Sequence, residues 1–107
     1  KEISESGPLG TGHACEFETS VMQHIAAEHL DTEADMSNIG INEMPEWFRF
    51  DFFQSPDVAL HRSFKELSAS GVYGRPEFAS PEKGEKTIDV IVTRLVEILK
   101  DMDGMER

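Results

Sequence analysis

A chain of 107 residues has room for one core and not for two, so a two-domain enzyme is excluded. A hydrophobic share of 38% together with 8 glycines is a globular composition rather than a disordered one. Lys+Arg 10 against Asp+Glu 21 leaves a net charge of −11, which repels phosphate backbones and anionic bilayers, so neither nucleic acid nor a membrane is expected as partner. No run approaches the roughly 18 apolar residues of a membrane span. The lone Cys15 forms no internal disulfide, and Lys-Glu-Ile-Ser-Glu-Ser lacks the apolar segment of a signal peptide, so a cytoplasmic location is expected.

In chain order, Gly7-Pro8-Leu9-Gly10-Thr11-Gly12-His13 reads as a loop, with three glycines suited to unusual backbone angles or close approach. From Cys15 to Leu30, Phe17, Val21 and Ile25 recur at helical spacing, which predicts a helix burying that stripe. Asp31 to Glu46 is acidic, interrupted by Gly40 and Pro45, and reads as surface loop. Phe48-Arg49-Phe50-Asp51-Phe52 alternates apolar and charged residues, the pattern of a half-buried strand that Phe53 breaks. Val58 to Leu67 holds Leu60, Phe64 and Leu67 in register for a short helix. Ser80 caps a final helix with Pro81 and Glu82 in its first turn. Ile88, Ile91, Val92, Leu95, Ile98, Leu99 and Met102 follow its 3.6-residue period to a C-terminal cap at Gly104. Its broad apolar face predicts packing on a sheet or on another helix.

The glycine loop delivers His13 to a helix N-terminus, where backbone N–H groups and the helix dipole stabilise developing negative charge. An ordinary imidazole there moves protons near neutrality. The same residue also fits a turn in which it merely satisfies a backbone carbonyl. A metal held by His13, Glu16 and Glu18 needs further ligands, and His24, His29 and His61 show no zinc spacing, so no complete metal site is expected within the chain. Cys15 is expected as a small buried side chain. Trp47 suits a pocket wall, a subunit contact or the core.

Gly12-His13-Ala14-Cys15-Glu16-Phe17-Glu18-Thr19-Ser20 resembles the signature of the creatininase (creatinine amidohydrolase) family, His-Ala/Gly-Gly-x-x-Glu-Thr-Ser. Gly71-Val72-Tyr73-Gly74-Arg75-Pro76 followed by Ala79-Ser80-Pro81-Glu82-Lys83-Gly84 is similar to its second pattern, Gly-Val-x-Gly-Asp-Pro and Ala-Ser/Thr-x-Glu-Lys-Gly. The resemblance implies an α/β fold, a three-layer α/β/α architecture of which residues 1–107 form the C-terminal half of one domain. It implies a metal-dependent hydrolase acting on a small cyclic amide or a related C–N or ring C–C bond. By motif position His13 resembles the catalytic histidine and Glu18 the glutamate that supports the site, while Gly10, Thr11, Gly12 and Ala14 are the implied substrate-binding positions.

The implied cofactor is a divalent ion, zinc, manganese or iron, whose ligands in the family lie mostly in the other half. The implied assembly is an oligomer, with a chain supplying the N-terminal half among the options. Three places depart from the family pattern. Leu9-Gly10-Thr11-Gly12 stands where creatinine-hydrolysing members carry Trp and Asp, Arg75 stands for the Asp of Gly-Asp-Pro, and Cys15 stands for a common Gly. The alternative reading is a non-catalytic fragment or subunit that requires a partner chain carrying the metal ligands.

Overall fold

The computed structural model describes residues 3–31, 33 and 44–105. Two long helices form its frame. Helix α1 spans Glu16–Ala26 and runs into a 3-10 turn at Ala27–His29. A further 3-10 turn at Glu46–Phe48, a single helical turn α2 at Phe64–Leu67 and a 3-10 turn at Pro76–Phe78 lead to α3, Pro81–Asp103.

Helix α3 begins where local chemistry dictates. The Ser80 hydroxyl accepts from the Lys83 N–H at 3.3 Å, and Pro81 occupies the first turn, where its missing N–H costs nothing. Its last turn closes at Gly104, whose N–H donates to the Lys100 carbonyl at 3.1 Å, although with a right-handed φ of −78°. Helix α2 covers only the end of the helix expected over Val58–Leu67. Glu66 reaches back to the Ser63 N–H at 2.9 Å and takes the Ser63 hydroxyl at 2.7 Å, a capping box that fixes the start at Phe64.

Helices α1 and α3 pack on each other, but not through the stripe the periodicity predicts. Ile25 is 59% exposed and Phe17 and Val21 are half-buried, whereas Glu16 and Ser20 are buried. The reason lies in Gly84. A Cβ there would stand 2.1 Å from the Ser20 carbonyl oxygen, so the two backbones touch where only glycine faces a small residue. This close crossing turns the polar Glu16 and Ser20 edge of α1 inward.

The half-buried strand expected over Phe48–Phe52 is not formed. Asp51 folds the chain back instead: its Oδ1 accepts from the N–H groups of Phe53 at 2.8 Å and Gln54 at 2.7 Å, and its own N–H donates to the Gln54 carbonyl at 2.9 Å. A carboxylate bonding the N–H groups two and three residues ahead makes a turn, which prevents a ladder. Among the described residues the extended pairing consists of one antiparallel bridge, His13 with Tyr73, and no strand. The described structure is thus mostly helical, and the expected three layers are not seen in it. The surface loop expected over 31–46 falls largely outside the described residues.

The buried apolar centre is small and lies beneath the bridge: Cys15, Phe48 and Tyr73. Phe48 meets Phe50 edge-on at 5.9 Å, and Phe50 lies 5.1 Å from Tyr73. Trp47, 45% exposed, borders this cluster at 5.8 Å from Phe48. The radius of gyration, 16.5 Å, exceeds the roughly 13 Å of a compact domain of this length because α3 projects beyond its partner.

Candidate active site

The glycine loop is pinned on both sides before it reaches His13. The Arg75 N–H donates to the Gly10 carbonyl at 3.1 Å and the Phe52 N–H to the Thr11 carbonyl at 2.9 Å. His13 and Tyr73 exchange both backbone bonds, at 2.7 and 2.9 Å. Gly12 has no room for a side chain, since a Cβ there would meet the Tyr73 carbonyl oxygen at 2.1 Å. The next residue, Ala14, adopts a left-handed φ of 50°, an angle that L residues with a Cβ resist, and this bend starts α1 at Glu16.

The backbone of His13 is therefore fixed while its imidazole is exposed, with its ring edge-on to Phe64 at 4.8 Å. Glu18, in the first turn of α1, is also exposed. Among the described residues neither side chain makes a hydrogen bond or ion pair, with the other or with anything else. Gly10, Thr11 and Gly12 are buried and Ala14 is half-buried. The Thr11 N–H faces the Asp51 carboxylate at 3.5 Å and the His13 N–H is taken by Tyr73, so two N–H groups of the loop are already committed. Thr11 is the member of that set lining a cleft of about 420 Å³, together with Pro8, Phe17, Asp51, Phe53 and others.

The most heavily bonded group is a carboxylate that the sequence offered only as a metal ligand beside His13 and Glu18. Glu16 is 1% exposed, and its carboxylate accepts from the Ser4 hydroxyl at 2.9 Å, the Glu5 N–H at 2.9 Å, the Ser6 N–H at 2.9 Å and the Lys83 ammonium at 2.6 Å. Burial pushes this carboxyl up, but Lys83 and the Glu5 and Ser6 donors outweigh it and hold its pKa at about 2. Lys83 also donates to the Phe78 carbonyl at 2.6 Å and pairs with Glu5 at 3.0 Å. Burial lowers its pKa and the two carboxylates more than restore it, for a net rise.

One cluster thus joins the N-terminal segment, α1 and α3. A second joint runs parallel to it, the Ser80 N–H donating to the Ser20 hydroxyl at 3.1 Å. The available signal was the two motifs read together: Glu16 and Ser20 stand in the first, Ser80, Lys83 and Gly84 in the second.

Tyr73 is buried between Phe50 and the glycine loop. Burial and the nearby Asp51 charge raise its phenol pKa, with the Phe50 backbone and Arg49 opposing. Cys15 is buried and reduced. His24, His29 and His61 are exposed, and His29 lies 3.8 Å from Glu28 at the surface.

Among the described residues no three His, Cys, Asp or Glu side chains converge as metal ligands. Glu16, the most enclosed carboxylate, is saturated by protein donors that include an ammonium group, and His13 stands alone. This donor set does not fit a resident divalent ion. Nor is any helix of the described residues long and apolar enough to cross a membrane.

A histidine-presenting glycine loop at a helix start, bonded to a second segment that leads into a capped helix, matches the order of the two motifs. The family model for creatinine amidohydrolase (Creatininase) matches residues 1–99. The chain belongs to the creatininase family, whose members are hydrolases. No curated protein and no solved structure gives a significant match to it.

Proposed function

We propose that residues 1–107 are the C-terminal part of a single creatininase-like domain that hydrolyses a small cyclic amide or a related C–N or ring C–C bond. The observation that carries this reading is the presentation of His13: a backbone locked by two bonds to Tyr73, and an imidazole left open at the N-terminus of α1. A positioned imidazole takes the proton of an attacking water and returns it to the leaving nitrogen or carbon.

The zinc, manganese or iron ion on which the family depends supplies Lewis acidity when bound. Its ligands, and the sheet that would complete a three-layer architecture, are assigned to polypeptide outside the described residues. The Thr11 side of the 420 Å³ cleft offers a place for a small uncharged ring, flanked by Phe17 and Phe53. The second reading, a subunit that is not catalytic by itself, is favoured by the exposure of Phe52 and Phe53, 75% and 69%.

The test is hydrolysis of a panel of cyclic amides and ureides by the protein isolated at its native mass with whatever copurifies, supplied with zinc or manganese. His13→Ala should lower turnover by about 100-fold or more with native mass and helical content unchanged. A rate that survives this change removes His13 from the chemistry.

A further inference from the structure

The two backbone bonds to Tyr73 hold the main chain of His13 and leave its side chain to turn. Among the described residues the exposed imidazole has no hydrogen-bond or ionic partner, so no polar group there selects its rotamer. Its ring contact is Phe64, at 4.8 Å between centroids with the planes 75° apart, the edge-to-face geometry that aromatic pairs prefer.

Phe64 is placed for this contact by its own segment. It is the first residue of α2, whose start the Ser63 and Glu66 capping box sets. At the other end of that turn the Ser68 N–H donates to the Phe64 carbonyl at 3.0 Å. The Ser68 hydroxyl, on a residue only 3% exposed, donates to the Val72 carbonyl at 2.6 Å. Gly71, at a left-handed φ of 84°, turns the chain between them. Tyr73 follows directly and exchanges its backbone bonds with His13. Residues 63–73 thus make a closed excursion with both ends on His13, Phe64 against the ring and Tyr73 along the backbone. Phe64 itself is 44% exposed and stands outside the buried centre of Cys15, Phe48 and Tyr73, so its place answers to His13 rather than to the core.

We infer that Phe64 is a positioning residue, holding the His13 imidazole in one orientation for proton transfer. This rests on His13 as the proton carrier proposed above. A free imidazole spreads over the staggered χ1 wells and a two-fold χ2, on the order of six orientations, so holding one of them raises kcat by about sixfold and leaves KM alone. An edge-to-face pair is strong enough to make that selection.

The test takes the protein as isolated at its native mass, with its histidine rings isotopically labelled. By NMR the Phe64 ring current should displace the His13 ring protons from those of the exposed His24, His29 and His61, and the His13 χ1 couplings should report a single rotamer. Phe64→Leu should abolish the displacement and average the couplings with helical circular dichroism unchanged. Phe64→Tyr, which keeps the ring, should keep both. On the cyclic substrate turned over fastest, Phe64→Leu should lower kcat by about sixfold with KM within about twofold, and Phe64→Tyr should stay within about twofold of wild type. In a His13→Ala background Phe64→Leu should make no further difference, because Phe64 acts through the imidazole.

Averaged His13 couplings in the wild-type chain overturn the inference whatever the activity. So does a Phe64→Leu change that lowers kcat equally with and without the imidazole, or one that leaves kcat unchanged although His13→Ala abolishes it. A held imidazole whose removal leaves turnover untouched strikes His13 from the chemistry instead, and this positioning role falls with it.

Discussion

Lowering the pH should remove the contribution of one carboxylate in a measurable way. The Glu16 pKa stands at about 2 in the folded chain against an ordinary 4.5. A carboxylate depressed by folding stabilises the native state above its unfolded pKa and loses that contribution as pH falls toward the folded value. At 1.36 kcal/mol per unit, the full effect is about 3 kcal/mol above pH 6, and about 2 kcal/mol of it is gone by pH 3.

The assay is urea unfolding of wild type and Glu16→Gln across pH 6 to 3, followed by circular dichroism. Comparing the two chains cancels the other carboxylates, which titrate in both. The variant should be less stable at pH 6, since its amide accepts from Lys83 without a charge, and the gap should narrow by about 2 kcal/mol by pH 3. Parallel curves, with an equal gap at both ends, would refute the assignment of that stability to an ionised Glu16. Lys83→Met adds a sharper comparison. Alone it leaves Glu16 buried without its cation and should cost about 3 to 5 kcal/mol, whereas the pair Glu16→Gln/Lys83→Met should cost less than the two singles together.

Gly84→Ala should lose about 2 kcal/mol in the same unfolding assay, because the new Cβ meets the Ser20 carbonyl and the better helix propensity of Ala offsets only about 1 kcal/mol. Asp51→Ala should lose about 1 to 2 kcal/mol and raise hydrogen exchange at the Phe53 and Gln54 amides, which it now holds. Ser80→Ala should lose about 1 kcal/mol through its cap, and protease sensitivity should rise at the start of α3.

The parts of the fold visible in the amino-acid order were those decided locally. Ser80, Pro81 and the apolar period to Met102 specify α3 without help from elsewhere, and they place its start correctly. The run Phe48–Phe52 misled because alternation describes only where side chains would point in a strand, whereas the Asp51 carboxylate settles what the backbone does. The stripe Phe17, Val21, Ile25 misled for a different reason. The inward edge of α1 was chosen by a glycine on another helix, and no pattern within α1 contains that information.

The site divides in the same way. The resemblance around His13 led to the right family, and the structure shows how the loop carries that residue. The motif carboxylate that the fold buries is Glu16, with Glu18 left at the surface. Its partner Lys83 lies 67 positions away, beyond the reach of any spacing rule.

That separation also bears on how the chain reaches its native state. The Glu16–Lys83 and Ser20–Ser80 joints close loops of 67 and 60 positions, nearly the same circuit made twice. The first closure must overcome a chain entropy of about 3 to 4 kcal/mol, while the second is then almost free. Folding should therefore wait on one slow encounter between the two ends and proceed together afterwards. Once that circuit is shut, its circumference matters little: doubling it costs only about 0.6 kcal/mol, so the exposed stretch from Val58 to His61 is where a guest sequence could be spliced in with the fold intact.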